Sequence, residues 1–533
     1  MKKLVLLFTV FTVVACRQAE QREKSIGAVP PAAATTLTRR LETDAATLNY
    51  LLQTSDYERW VLQYLYDPLI DLDQNLQPIP GTAKSWDVSK DGKVYTLHLD
   101  PDTTFSDGTP VLASDVVFTL RKVIDEQSVQ FSGFFEGLDL AQTIAVDPHT
   151  VRVVFKMPRV ARWYAFNIAV LPEHVYGKGD FKTAFNDTVI GNGPYKLVGR
   201  ERGRSILLQR RDDYRRTKPA IDTILFKVIT DPATSWNALK RGEVDEMRVT
   251  AEIWNANKGN SAVRDRFAFY DAYPLTYNCI AWNNSDPVLR DARVRRAFSL
   301  ALDRRGIIEH LYYGKARPIS GPFTPDQWAY NSQVASDPYD LKRAASLLDT
   351  AGWRDSNGDG IRDRNGRKLS VEVLIAANDT SARAQSQLLQ AALAQIGVDM
   401  SIGVREGTSL FDAIMKGNYQ GAFMAWSVDP DPDIYSLFHS KATPPAGMNV
   451  VHYANAAVDK LIEASQTEFD TTKRREIFHR LHAVLANDQP YTWTVQAAQN
   501  WAVNRRIQGV KVSKGFGLFG WYPGPLEWTV SNP

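Results

Sequence analysis

Three carboxylates fall within five residues in Trp426-Ser427-Val428-Asp429-Pro430-Asp431-Pro432-Asp433. Each proline biases the residue before it toward an extended backbone, so Asp429 and Asp431 lie along a stretched path instead of curling into a helix. A preorganised negative rim of this kind suits charge-assisted hydrogen bonds to a cation, with Trp426 as a neighbouring wall. The alternative reading is a solvated acidic turn with Trp426 in the core.

Other spacings invite chemistry and then withhold it. Asp355-Ser356-Asn357-Gly358-Asp359-Gly360-Ile361-Arg362-Asp363 opens like a calcium loop, but Gly366 stands where the bidentate carboxylate belongs, so no tight calcium site is expected. Gly515-Phe516-Gly517-Leu518-Phe519-Gly520 fits a phosphate-binding glycine pattern by letter. Trp521-Tyr522-Pro523 follows it, so no helix N-terminus receives a phosphate, and it reads as a loop. His479 and His482 share a helix with Glu476; at about 100° per residue His479 points away from the apolar face and His482 sits at its border, which predicts no metal site. No nucleophile elbow, zinc-protease or P-loop pattern occurs, and no cofactor is expected. Cys279 alternates along Tyr277-Asn278-Cys279-Ile280-Ala281-Trp282 and reads as a buried, inert thiol.

The elements that must position these groups mix strands and helices. Asp91-Gly92 supplies the turn of a hairpin from Trp86 to Leu99, with Tyr95, Leu97 and Leu99 on one face. Ser114-Asp115 predicts a helix start, as do Asp291, Asp303, Asn455 and Asp470. Asp337-Pro338 is expected to begin a helix ending at Gly352, and a strand over Leu369 to Ile375 leads into a helix over Ala382 to Ile396. No repeat is visible, and the pattern predicts an α/β or α+β chain.

With 533 residues the chain holds three to four domains' worth of sequence, and 44% hydrophobic against 23% charged residues excludes a disordered or fibrous protein. A formal charge of +3 gives no global field for nucleic acid, and two cysteines exclude a disulfide framework. Met1-Lys2-Lys3 followed by an apolar run to Ala15 predicts a signal peptide over residues 1–15, too short to span a bilayer. Val13-Val14-Ala15-Cys16 resembles the bacterial lipoprotein signal, whose cysteine thiol is acylated before cleavage; the alternative is an ordinary signal peptide. Residues 16–36 then read as a tether from lipidated Cys16.

From about residue 45 onward the landmarks fall into one order. Leu65-Tyr66-Asp67-Pro68-Leu69-Ile70, Ala83-Lys84-Ser85-Trp86 and Phe105-Ser106-Asp107-Gly108-Thr109-Pro110 come first. Gly191-Asn192-Gly193-Pro194-Tyr195, Gly242-Glu243-Val244-Asp245, Asp291-Ala292-Arg293-Val294-Arg295-Arg296-Ala297 and Ala351-Gly352-Trp353 follow, before Trp426 and its aspartates. In this series the chain resembles the family 5 solute-binding proteins of ABC importers, of which the peptide-binding lipoproteins are best known. The resemblance implies an α/β, two-lobed periplasmic-binding-protein fold with an extra subdomain, the lobes joined by two crossing strands. Lobe I would cover residues 37–276, with a subdomain near 60–190, and 490–533; lobe II would cover 277–489.

It further implies a lipid-anchored, extracytoplasmic monomer, in the periplasm or at the cell surface, that captures a solute, foremost a peptide, for an ABC permease and its ATPase. It would perform no chemistry on that solute and bind no nucleic acid. In peptide-binding relatives an aspartate in the Trp-x-x-Asp segment pairs with the ligand's ammonium. Here one residue separates Asp429 from Asp431 where many relatives have two, so either could inherit the role; Asp429 is favoured. The arginine that relatives offer to the ligand carboxylate has no counterpart in register, since Arg383 comes several positions late. Sugars, opine-like solutes and longer peptides therefore stay open. Tyr277 and Trp282, on the strand that passes the hinge in this family, are candidate ligand contacts. A secreted hydrolase and a periplasmic peptide chaperone or sensor are the competing functions.

Overall fold

The computed structural model describes residues 35–531 apart from 74, 129–130, 188, 513–520 and 522–523. The leader, Cys16, most of the tether and the glycine-rich segment from 515 to 520 lie outside the described residues. At the start of the described residues the Thr35 backbone N–H donates to Asp222 at 2.9 Å.

Three large sheets organise the chain. The first is seven-stranded, in the order Phe267–Ala272, Gln499–Asn504, Glu246–Val249, Thr36–Leu41, Thr223–Val228, Ser205–Arg210, Tyr195–Glu201. Thr36–Leu41 runs parallel to Thr223–Val228, with Thr36 opposite Thr223 and Leu41 opposite Val228. The second sheet is five-stranded, in the order Asp399–Arg405, Ser370–Ala376, Gly421–Ser427, Thr276–Trp282, Tyr491–Trp493. A four-stranded antiparallel sheet, Ala83–Val88, Val94–Leu99, Thr150–Val154 and Ile144–Asp147, forms the subdomain. Its hairpin turns at Gly92, whose φ of +67° is the left-handed conformation that glycine adopts without a Cβ penalty.

The chain passes from the first sheet to the second between Ala272 and Thr276. It returns between Trp493 and Gln499, through Val495–Ala497, which pairs with Ala316–Pro318. Tyr491–Trp493 is an edge strand of the second sheet.

Alternation along Thr276–Trp282 divides the second lobe's core. Tyr277, Cys279 and Ala281 enter one apolar cluster, and Ile280 and Trp282 enter another across the sheet. Burial raises the Cys279 thiol well above its ordinary pKa, which keeps it inert. Helices begin where side-chain caps are available: Asp291, Asn455 and Asp470 each accept backbone N–H bonds at the starts of Ala292–Leu300, Ala456–Thr467 and Thr471–Asp488. The helix expected from Asp337 instead covers Leu341–Thr350 and is capped by Asp340. Asp337 is taken by Arg296 at 3.0 Å and by the Gln489 amide at 3.1 Å.

Candidate ligand-binding site

The acidic segment leaves the second sheet in a fixed direction. Gly421–Ser427 pairs along its whole length with Thr276–Trp282, and the Val428 N–H adds one more bond to the Leu275 carbonyl at 2.8 Å. Beyond it the Gln327 amide donates to the Asp429 carbonyl at 2.7 Å, so the backbone is pinned where the aspartates begin. They project into a cavity of about 540 Å³. Its opposite wall comes from the subdomain and includes Phe134, Glu136, Arg159 and Tyr164. The volume lies within the range of small-ligand sites, which commonly form between domains.

The three carboxylates have different neighbours. Asp431 forms an ion pair with Arg474 at 2.7 Å, and that guanidinium also donates to the Ser465 carbonyl at 2.8 Å while lying over Trp328 and Phe478. Asp433 accepts from the Gln466 amide at 2.9 Å and the Tyr435 N–H at 3.0 Å, with Arg159 at 3.5 Å across the cavity. The Asp429 carboxylate has no hydrogen bond or ion pair with any described residue. Burial, reinforced by the charges of Asp433 and Asp431, pushes its pKa up to about 7. Burial and the Asp429 charge also hold the Tyr164 phenol far above its usual range.

The cavity thus brings Asp429 and Asp431 together but leaves out the other sequence candidates. Trp426 packs half-buried on the second lobe's core. Trp282 is completely buried on the opposite face of the sheet, its ring 5.3 Å from Phe298 and its indole N–H donating to Thr492. Tyr277 is buried in the core beneath Trp426, its cross-strand partner. Neither Tyr277 nor Trp282 lines this cavity; both side chains pack in the core. Sequence reasoning missed Glu136, Arg159, Tyr164, Gln466 and Arg474. They lie far from the aspartates in sequence and carry no local motif.

The remaining candidates resolve as packing. Asp355 accepts N–H bonds from Gly358 and Gly360, and the Lys368 ammonium sits 2.7 Å from Asp359, so a side-chain cation already meets the loop's carboxylates. His482 is buried and neutral, its pKa pushed down to about 4 mainly by burial; Nδ1 accepts from the Asn331 N–H and Nε2 bonds Ser320. Among the described residues no group of His, Cys, Asp and Glu side chains could hold a metal, and no helix is long and apolar enough to cross a membrane.

Two lobes around a cavity lined by fixed charges define a solute-binding protein of the periplasmic type. Residues 77–446 match the middle-region model of the bacterial extracellular solute-binding proteins, family 5, and the chain belongs to that family. It is 28% identical over 482 residues to the oligopeptide-binding protein AppA of Bacillus subtilis, a span covering 87% of this chain and 86% of that one. The structure of that protein in complex with a nonapeptide matches with a TM-score of 0.77 at 25% identity, over 94% of this chain and 99% of the other. NikZ of Campylobacter jejuni in complex with Ni(L-His) matches at 0.79 and 25%, over 93% and 99%. Members of the family are transport binding proteins, not enzymes, which overturns the hydrolase alternative. The chain captures a solute outside the cytoplasm for delivery to an ABC permease.

Proposed function

We propose that this protein is a lipid-anchored receptor that encloses a peptide or another amine-bearing solute between its lobes and seats the ligand's ammonium group on Asp429. The observation that carries this reading is the contrast between neighbours: Asp431 is neutralised by Arg474, whereas Asp429 enters the cavity without a counter-ion. The nonapeptide bound by the Bacillus subtilis relative supports a peptide. Lobe I, in this reading, gathers residues 37–276 and the C-terminal segment, and lobe II the chain between them. Native mass spectrometry of the purified protein identifies the class of any retained solute. Against that solute, Asp429→Asn is expected to weaken binding by about thirtyfold or more, the effect of removing one partner of a buried charge pair. Asp431→Asn should chiefly lower the melting temperature by stranding Arg474. A near-neutral Asp429→Asn would refute the ammonium seat.

The anchor belongs to the same proposal. Cys16 would carry the acyl groups after removal of residues 1–15, and several acyl chains hold a protein on a membrane where a single one does so marginally. The wild-type protein should sediment with membranes and enter detergent, and Cys16→Ser should stay in the aqueous phase. Unchanged partition of that variant would remove the anchor. The protein acts as a monomer in this scheme, with the permease and its ATPase as partners.

A further inference from the structure

The charges around the cavity do not balance. Among the described lining residues, Glu136, Asp429, Asp431 and Asp433 face only Arg159 and Arg474, an excess of two negative charges once Asp429 is ionised. Both guanidinium groups are already committed. Arg474 is held by Asp431 and the Ser465 carbonyl. Arg159 donates to Glu136 at 2.7 Å on its own lobe and turns toward Asp433 at 3.5 Å on the other, so it serves two carboxylates. A ligand carboxylate entering here would find, among the described lining residues, no cation that is not already neutralised, and would add like charge next to fixed acids. Repulsion among the carboxylates is already felt at Asp429, where the charges of Asp433 and Asp431 add to the effect of burial. A cation relieves it.

Resting on the reading that Asp429 seats an ammonium group, we propose that this cavity selects net-cationic organic solutes and disfavours a ligand carboxylate: an amine, a peptide amide with a free amino end, or a peptide whose C-terminus ends beyond the cavity. A cavity of this volume is about 10 Å across, the reach of about three extended residues, so tripeptides are suitable probes. They separate the two charges, since one end can be masked at a time.

Calorimetry on the whole protein at low salt and pH 8 compares trialanine amide, trialanine and N-acetyl-trialanine. The amide should bind about tenfold or more tightly than the free acid, because a unit charge a few ångströms from uncompensated acids is weakly screened there. The acetylated peptide, which lacks the ammonium, should not bind. Glu136→Gln frees Arg159 and should narrow the gap between amide and acid to about threefold, while raising salt should narrow it in the wild type. Equal or tighter binding of the free acid, with the acetylated peptide silent, would overturn the charge selection and leave the Asp429 seat standing. Binding of the acetylated peptide would overturn the seat and the selection together, as would binding of none of the three.

Discussion

Asp429 and Asp431 are two residues apart and chemically identical, yet of the two only Asp431 has a counter-ion among the described residues. The difference comes from Arg474, which reaches Asp431 from a helix more than forty positions away in sequence. A measurable consequence follows at Asp429. Its pKa in the folded, unliganded protein is raised to about 7, whereas in the unfolded chain it ionises near the ordinary carboxylate value. Folding therefore favours the protonated form, so the Asp429 contribution to stability of the unliganded protein worsens as pH rises from about 4 to about 7 and is level above that. A ligand ammonium needs the ionised form. Affinity should rise with pH, by about tenfold per unit well below pH 7, and flatten above it. Titrations at pH 7 in buffers of different ionisation enthalpy should show release of about half a proton per ligand, and Asp429→Asn should abolish it. Uptake of protons, or a flat pH profile from 5 to 8, would place the ligand cation elsewhere. The sequence located this acidic segment but could not apportion its charges, because each partner is supplied by a different element.

At the scale of elements, sequence reading succeeded where a signal is local. The Asp91-Gly92 hairpin and the caps at Asp291, Asn455 and Asp470 depend on a few adjacent residues, and the structure has them. It failed where two local signals competed. Asp337-Pro338 and Asp340 both suit a helix start, and the choice fell to Asp340 because Arg296 and Gln489 hold Asp337. The strand Thr276–Trp282 was legible as a strand, and its alternation was legible too. Which face looked toward ligand was not. Trp282 packs against Gly421, where an added Cβ would lie 2.5 Å from the ring, so that indole fits only because the neighbouring strand carries a glycine there. The calcium-like loop shows the same limit: the missing ligand at Gly366 was visible, but the salt bridge from Lys368 to Asp359 depends on how the loop closes on the short hairpin that follows.

Across the whole molecule, the lobes meet at more than the cavity. Phe469, between the last two long helices of the second lobe, lies half-exposed against Gly92 of the subdomain: a Cβ built on Gly92 would come within 2.7 Å of the Phe469 ring. Leu76 packs on the second lobe's core, and Arg159 faces Asp433 across the gap. These contacts exist only while the lobes are together, and we expect them to favour closure. Phe469→Asp should shift the unliganded population toward an open form, seen as a larger radius of gyration by small-angle scattering, with saturating ligand restoring the compact value. Because the competent closed state is then less populated, affinity should fall by a few-fold, about fivefold if that population drops to one fifth. Scattering unchanged by the substitution would show that this contact does not bias closure.

The position of Gln499–Asn504 has a consequence for folding. This strand lies between Phe267–Ala272 and Glu246–Val249, so the largest sheet is completed by a segment that follows both of its neighbours by more than two hundred residues. Until it docks, Phe267–Ala272 has no neighbour in that sheet and Glu246–Val249 lacks its main one. Pairings that span more than two hundred residues form slowly, because the intervening chain must first be brought together. The first lobe is therefore sealed late in folding, by a strand that arrives only after the chain has passed through the second sheet.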